Sequence, residues 1–183
     1  MTQWTHASIP GYEVNLVFSR GLSADALSAG LRAVPREPLA VGEAGGWAWA
    51  VHEMFDEESD DYNEVDYRRI CPDGTELVVL VTEPCSAKAH APQVLYLRDG
   101  RTILFFTFED LEQRMGENPD YMSAELLAAN LIGPGAECDT WQTDDDHDCF
   151  DHHDGDEDRV VKAIQDCFGL PPLPLGPKEA VSK

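Results

Sequence analysis

The stretch Gln93–Phe108, QVLYLRDGRTILFFTF, decides the fold of this chain. Two runs rich in β-branched and aromatic residues flank Asp99-Gly100. This dipeptide is typical of a two-residue type I′ turn, because both central residues of that turn adopt positive φ. The stretch therefore predicts a β-hairpin that closes at Asp99-Gly100.

The turn also fixes the register of the predicted hairpin. Arg98 should lie opposite Arg101, and two positions further along Tyr96 should lie opposite Ile103. The register gives two side-chain sets, one on each face: Val94, Tyr96, Ile103 and Phe105, and Leu95, Leu97, Leu104 and Phe106. Both sets are largely apolar, so we expect the hairpin in the middle of an antiparallel sheet that is covered on both faces.

Three helices are predicted to pack on this sheet. Ser23 is typical of an N-cap, and apolar residues follow it at helical spacing as far as Val34. Asn118-Pro119 predicts the start of a second helix. Arg159–Phe168 carries the apolar face of a third helix, which Gly169 is expected to end.

Shorter segments lie between these elements. Gly46–Met54 alternates tryptophan and valine with alanine and histidine, which predicts a strand with one buried face. Tyr67–Ile70 is predicted as a short strand and Thr75–Thr82 as a strong one. Glu109–Met115 is predicted to form one or two helical turns.

Together these elements predict an α+β protein with an antiparallel sheet of about five strands, packed by three or more helices. We expect a single α+β domain over residues 12–169. An N-terminal lead-in (1–11) would precede it, and a Pro-rich C-terminal tail (170–183) would follow.

The charge of the chain is strongly unbalanced, since 35 acidic and 13 basic residues leave a net charge of −22. Binding to a phosphate backbone requires Lys and Arg, and so does binding to an anionic membrane. The composition therefore argues against nucleic acid and membranes as direct partners. It favours a basic protein partner or bound cations, although excess acid also serves solubility alone.

Five cysteines occur at irregular spacing without a CxxC pair, which is not the pattern of a disulfide framework. The opening residues, MTQWTHASIPGYEV, lack the basic and apolar regions of a signal peptide. No apolar run approaches the length that spans a bilayer. The sequence predicts a cytoplasmic protein with reduced thiols.

Several segments resemble a known family when they are taken together. Phe18-Ser19-Arg20-Gly21-Leu22 matches an F-x-R-G-L motif that opens a helix, and Trp49-Ala50-Val51 matches a W-x-V strand. The Asp99-Gly100 hairpin follows at similar spacing, and Asp110 stands where a Pro is usual. This order resembles a family of small actinobacterial, Streptomyces-type proteins of unknown function over roughly residues 12–132. The resemblance implies the fold and no activity.

The stretch Asp56–Asp66, here called the first acidic stretch, places seven carboxylates among the aromatic residues Phe55, Tyr62 and Tyr67. Aromatic side chains supply contact area at interfaces, and carboxylates attract a basic partner over long distances. The alternative is a loop whose tyrosines attach it to the core.

The stretch Asp144–Asp158, DDDHDCFDHHDGDED, is here called the second acidic stretch. Four potential metal ligands lie among its nine carboxylates: His147, Cys149, His152 and His153. The spacings of an EF-hand and of a zinc finger are both absent. Three interpretations stay open: a solvated loop leading into a helix, an anionic surface for a partner, and a divalent metal site.

Signatures of nucleophilic catalysis and of phosphate-binding loops are missing from the sequence. His52 lies on the polar side of the tryptophan-rich strand, near Glu53 and Asp56. A hydrogen-bonded structural histidine is the favoured interpretation of His52, ahead of a general base.

The sequence therefore predicts a non-enzymatic binding protein with no cofactor. We expect an immunity or antitoxin type of protein, whose carboxylates occupy the electropositive site of a basic, nucleic-acid-acting toxin. The expected partner-binding residues are Asp56, Glu57, Glu58, Asp60, Asp61, Tyr62, Glu64, Asp144, Asp145, Asp146, Asp148, Asp151 and Asp154. The alternatives are a metal-binding protein or enzyme that uses the second acidic stretch, and a structural subunit of a larger assembly.

Overall fold

A seven-stranded antiparallel sheet forms the centre of the protein, as seen in a computed structural model that describes residues 14–54, 65–81, 92–134, 136 and 156–172. The strands of these residues are β1 (Val14–Arg20), β2 (Pro38–Ala44), β3 (Trp47–Glu53), β4 (Glu76–Val81), β5 (Gln93–Arg98), β6 (Arg101–Thr107) and β7 (Asp110–Met115). Their order across the sheet is β2-β3-β1-β4-β5-β6-β7. The α+β class is confirmed, but the expected number of about five strands is too small.

Three α-helices and one 3-10 helix cover the sheet within the described residues. They are α1 (Ala24–Ala33), the 3-10 helix (Tyr67–Ile70), α2 (Ser123–Ala128) and α3 (Asp156–Phe168). Helices α2 and α3 lie on the face that carries Phe18, Tyr96 and Phe106. Helix α1 and the 3-10 helix lie on the opposite face, over Val17, Val79 and Leu97. Both faces of the sheet are therefore buried, as its largely apolar strands require.

The central hairpin forms at the predicted turn. Asp99 and Gly100 have φ of 53° and 72°, as a type I′ turn requires, and Arg98 lies opposite Arg101. Beyond Leu97 the register shifts by one residue, so Tyr96 lies opposite Leu104. The predicted Tyr96–Ile103 pair is wrong for this reason.

The shift is a β-bulge at Ile103, and contacts from a distant segment explain it. The Ile103 carbonyl accepts a hydrogen bond from the Asn118 backbone N–H at 2.9 Å, and Gly116 packs directly against it. The extra residue moves Leu104 and Phe106 to the face of Val94, so the predicted side-chain sets are wrong beyond the bulge.

Two predictions of local structure are wrong. Glu109–Met115 contains strand β7 and does not form helical turns. The Asp110 carboxylate accepts the backbone N–H groups of Glu112 and Gln113, and this pattern resembles a helix cap in the sequence. Tyr67–Ile70 is a 3-10 helix and not a strand. Three residues per turn place buried Tyr67 and Ile70 on the same side, which the alternation of a strand would not do.

The helix predicted at Asn118-Pro119 begins later, at Ser123. The Pro119 carbonyl accepts a hydrogen bond from the Arg114 guanidinium, and the Ser123 N–H bonds to Asp120. These hydrogen bonds replace the α-helical ones in the first turn of the predicted helix.

Strand β3 also differs from its prediction, because it is buried on both faces and not on one. Ala48 and Ala50 are 3% and 1% exposed, beneath helix α1. Alanine and histidine in this strand therefore reflect close packing and not exposure.

The first and last helices agree with the sequence. The Ser23 hydroxyl accepts the Ala26 N–H at 3.2 Å, which confirms the N-cap, and Leu27 and Leu31 are buried. Helix α3 buries Val160, Val161, Ile164 and Phe168 and ends at Gly169, whose φ is 62°. The lead-in, and the tail from residue 173 onward, lie outside the described residues.

Candidate functional site

A buried polar network lies at the end of the sheet where β1 begins and β3 ends. Asn15 of β1 and His52 of β3 are directly opposite each other in the register. The Tyr67 hydroxyl, which comes from the 3-10 helix, lies 2.8 Å from Asn15 Nδ2 and 2.9 Å from His52 Nε2. These three side chains are here called the Asn15–Tyr67–His52 network, and none is more than 5% exposed.

The electrostatics of the network fix the direction of its hydrogen bonds. Burial lowers the pKa of His52 to about 4, helped by the nearby Arg36 guanidinium and opposed by the hydrogen bond to the Glu53 backbone, so the imidazole is neutral near pH 7. Its Nδ1–H donates to the Glu53 carbonyl at 2.7 Å. Its Nε2 then accepts from the Tyr67 O–H, whose oxygen accepts from the Asn15 amide.

The network is sealed from solvent, so it does not offer His52 as a general base to a substrate. Burial also raises the pKa of Tyr67 far above its usual value, which keeps the phenol protonated. The arrangement binds three elements of the protein to one another. This is the structural role that the sequence favoured for His52, although the bond to Glu53 uses its backbone carbonyl and not its carboxylate.

A pH dependence of stability follows from the buried imidazole. In the unfolded chain His52 binds a proton below its usual pKa of 6.5, whereas in the folded protein it stays neutral down to about pH 4. The free energy of unfolding therefore falls as the pH is lowered from 6.5 to 4. Between pH 7.5 and 4.5 this contribution amounts to about 2.5 kcal/mol. Denaturant titrations at both pH values measure how far the free energy of unfolding falls between them. This fall should be about 2.5 kcal/mol larger in wild type than in His52→Gln. Equal losses would contradict the assignment.

The network flanks the first acidic stretch in sequence. His52 comes just before it, near the end of β3, and Tyr67 follows Asp66, its last residue. Asp66 itself is exposed, and the Arg68 guanidinium, 2.8 Å away, lowers the pKa of its carboxyl. A groove of about 210 Å³ runs from Asp66 along Leu95 and Thr102.

The second acidic stretch leads into helix α3. Its last residues, Asp156–Asp158, form the first turn of the helix, where the positive end of the helix dipole stabilises carboxylates. The Arg159 guanidinium bonds to Asp156 and donates to the Ala129 carbonyl at 3.1 Å, beside the end of α2.

The C-terminal end of α3 contacts the last residue of β1. The Phe168 carbonyl accepts from Arg20, the last residue of β1, at 3.3 Å. The C-terminal end of α3 therefore lies at the end of the sheet where β1 ends.

The predicted partner-binding residues all lie outside the described residues, and so do the four predicted metal ligands. The partner-binding set is Asp56, Glu57, Glu58, Asp60, Asp61, Tyr62, Glu64, Asp144, Asp145, Asp146, Asp148, Asp151 and Asp154, and the ligand set is His147, Cys149, His152 and His153. Within the part of the chain that the structure describes, no group of three His, Cys, Asp or Glu side chains could hold a metal ion.

The two cysteines in described parts of the chain, Cys71 and Cys167, are free thiols. Burial raises the pKa of Cys71, and burial together with Glu125 raises that of Cys167 to about 11. Both therefore stay protonated near pH 7 and are poor nucleophiles.

An arginine pair at the opposite end of the sheet was not anticipated from the sequence. Glu76 lies between Arg20 and Arg98, at 3.2 Å and 3.1 Å, and the Arg20 guanidinium stacks over Trp47 at 4.2 Å. Four strands supply these four residues, so only the sheet register brings them together.

Comparisons with known proteins found no match to the chain among protein-family models, curated proteins or solved structures. The resemblance to small actinobacterial proteins therefore stays a prediction. Among the described helices, none is both long and apolar enough to cross a membrane.

Proposed function

We propose that this protein is a non-enzymatic binding protein whose two acidic stretches hold a basic protein partner. An immunity or antitoxin protein is the favoured form of this function, because carboxylates that fill the electropositive site of a nucleic-acid-acting toxin exclude its substrate. The partner would be recognised by its clustered Lys and Arg side chains.

The proposal rests on one observation: many of the acidic residues of this chain are clustered in two short stretches of sequence. Sixteen of its 35 acidic residues, and no Lys or Arg, fall within the first and second acidic stretches. Like charges concentrated in two short stretches of sequence repel each other unless a cation or a basic partner balances them.

The ionisable groups of the described residues are compatible with a binding role. Their buried histidine is neutral and sealed, and both of their thiols have raised pKa values. A binding protein of this kind needs neither a nucleophile nor a general base.

Binding to an oligolysine peptide, measured by calorimetry over a range of salt concentrations, tests the proposal. We expect the dissociation constant to rise at least about 30-fold between 50 mM and 500 mM NaCl, since screening weakens interactions between exposed charges. EDTA should leave the affinity unchanged, whereas a bridging metal ion on the second acidic stretch would make it fall. Absence of binding at low salt, or binding that salt does not weaken, would contradict the proposal.

A further inference from the structure

We propose that three arginines, at the end of the sheet opposite the Asn15–Tyr67–His52 network, bind the carboxylates of an acidic protein segment. Arg20 is the last residue of β1, Arg98 is the last residue of β5, and Arg101 is the first residue of β6. These three residues are here called the arginine row. The inference does not rest on the proposed function, because it concerns positive charge and a different kind of partner.

The sheet register places these arginines side by side. Arg20 lies opposite Glu76 of β4, which in turn lies opposite Arg98. Arg98 lies opposite Arg101 across the hairpin turn. Residues paired in an antiparallel register project from the same face, so these side chains form one line across four strands. Two arginines directly opposite each other destabilise a hairpin, and a local cost of this kind is typical of functional sites.

Other side chains hold the guanidinium groups of the row in position. The Arg20 guanidinium stacks over the Trp47 ring at 4.2 Å, and the Arg98 guanidinium donates to the Tyr96 hydroxyl. The Glu76 carboxylate bonds to Arg20 at 3.2 Å and to Arg98 at 3.1 Å. Because these donors are already ordered, less side-chain entropy is lost when they bind a ligand.

The row is accessible from solvent although its members already bond to carboxylates. The side chains of Arg20, Arg98 and Arg101 are 52%, 42% and 59% exposed. Each guanidinium has five N–H donors, so an ion pair with one glutamate leaves donors for a ligand. The Glu117 carboxylate, 3.1 Å from Arg101, is itself 49% exposed, and a ligand carboxylate can replace it at little cost.

The charges of the row define the chemistry of the partner. Three arginines and the two glutamates that they hold leave one positive charge, in a chain whose net charge is −22. Glu76 already occupies the space between Arg20 and Arg98, so a ligand must engage the guanidinium groups at separate points. An extended segment rich in Asp and Glu does so, because it presents carboxylates on one face about 7 Å apart. Carboxylates are also the groups that these arginines hold within the chain itself.

The experiment measures the binding of a labelled oligoglutamate peptide to the full chain by fluorescence anisotropy. At about 150 mM NaCl the Debye length is about 8 Å, which screens the peptide from distant carboxylates of the protein. We expect Arg101→Gln to weaken binding about fivefold. Arg32→Gln is the matched control, since Arg32 is 56% exposed and pairs with Glu37 outside the row. It removes the same charge and should change the affinity by less than about 1.5-fold.

A second pair of variants acts in the opposite direction. Glu117→Gln releases Arg101 from its internal partner and leaves the row intact, so we expect it to tighten oligoglutamate binding about threefold. Glu37→Gln makes the same change of charge beside Arg32 and should leave the affinity unchanged. Both glutamates are exposed, and substitutions at such positions seldom disturb folding.

Each of several results would overturn the inference. Wild type that does not bind oligoglutamate is one, and equal weakening by Arg101→Gln and Arg32→Gln is another, because net charge alone would then explain binding. Tighter binding of a single-stranded oligothymidylate, with the same dependence on Arg101, would assign the row to phosphates and not to carboxylates. Oligolysine binding tests the proposed function separately, so either idea can fail while the other stands.

Discussion

Gly116→Ala is expected to lower the free energy of unfolding by about 4 kcal/mol. Gly116 has φ of 122°, and a Cβ atom at this position would lie 2.4 Å from the Ile103 carbonyl oxygen and 3.0 Å from the Leu104 nitrogen. These are backbone atoms of the β-bulge in β6, so no side-chain rotation can relieve the clash. Denaturant titration at neutral pH measures the effect.

The matched control is Gly169→Ala. Gly169 also has positive φ, 62°, but no atom lies within 4 Å of the position that a Cβ would occupy. This variant tests the conformational cost alone, which is about 1 kcal/mol. Equal destabilisation by the two alanines would show that Gly116 does not pack against the bulge.

Phe106→Ala is expected to destabilise the protein by about 4 kcal/mol, because it empties a fully buried site in β6. Phe106 is 0% exposed, lies opposite Val94 and has its ring centre 6.3 Å from that of Phe108. A cavity of this size between the sheet and its helices cannot collapse without moving several core residues.

Phe105→Ala is the internal comparison, since it removes the same side chain one position earlier. Phe105 is only half-buried and lies opposite Leu95 on the other face. We expect a loss of about 1.5 kcal/mol for this variant. If Phe105→Ala were the more damaging of the two, the bulge at Ile103 and the side-chain sets that it produces would be wrong.

Residues whose structure depends on near neighbours were predictable from the sequence. The turn at Asp99-Gly100, the Ser23 N-cap and the end of α3 at Gly169 each follow from the chemistry of a few adjacent residues. The bulge at Ile103 was not predictable, because a glycine and a backbone N–H from residues 116–118 produce it.

The Asn15–Tyr67–His52 network was likewise predictable only in part. His52 could be selected from the sequence as a histidine in an apolar strand, but its partners could not. Asn15 becomes its neighbour through the pairing of β1 with β3, and Tyr67 through the 3-10 helix, which was predicted as a strand. The one available signal was Asn15 itself, a polar residue within the apolar run Val14–Phe18.

The proposed function requires that the grouping of the carboxylates matters beyond their number. Two triple variants carry equal charge changes: Asp144, Asp145 and Asp146 to Asn within the second acidic stretch, and Asp25, Asp73 and Asp166 to Asn at exposed sites elsewhere. The measurement is the dissociation constant of oligolysine at low salt for both. If the grouping of the carboxylates matters, we expect about tenfold weaker binding for the first variant and less than about twofold for the second. Equal weakening by the two variants would contradict it, because the carboxylates would then act only through net charge.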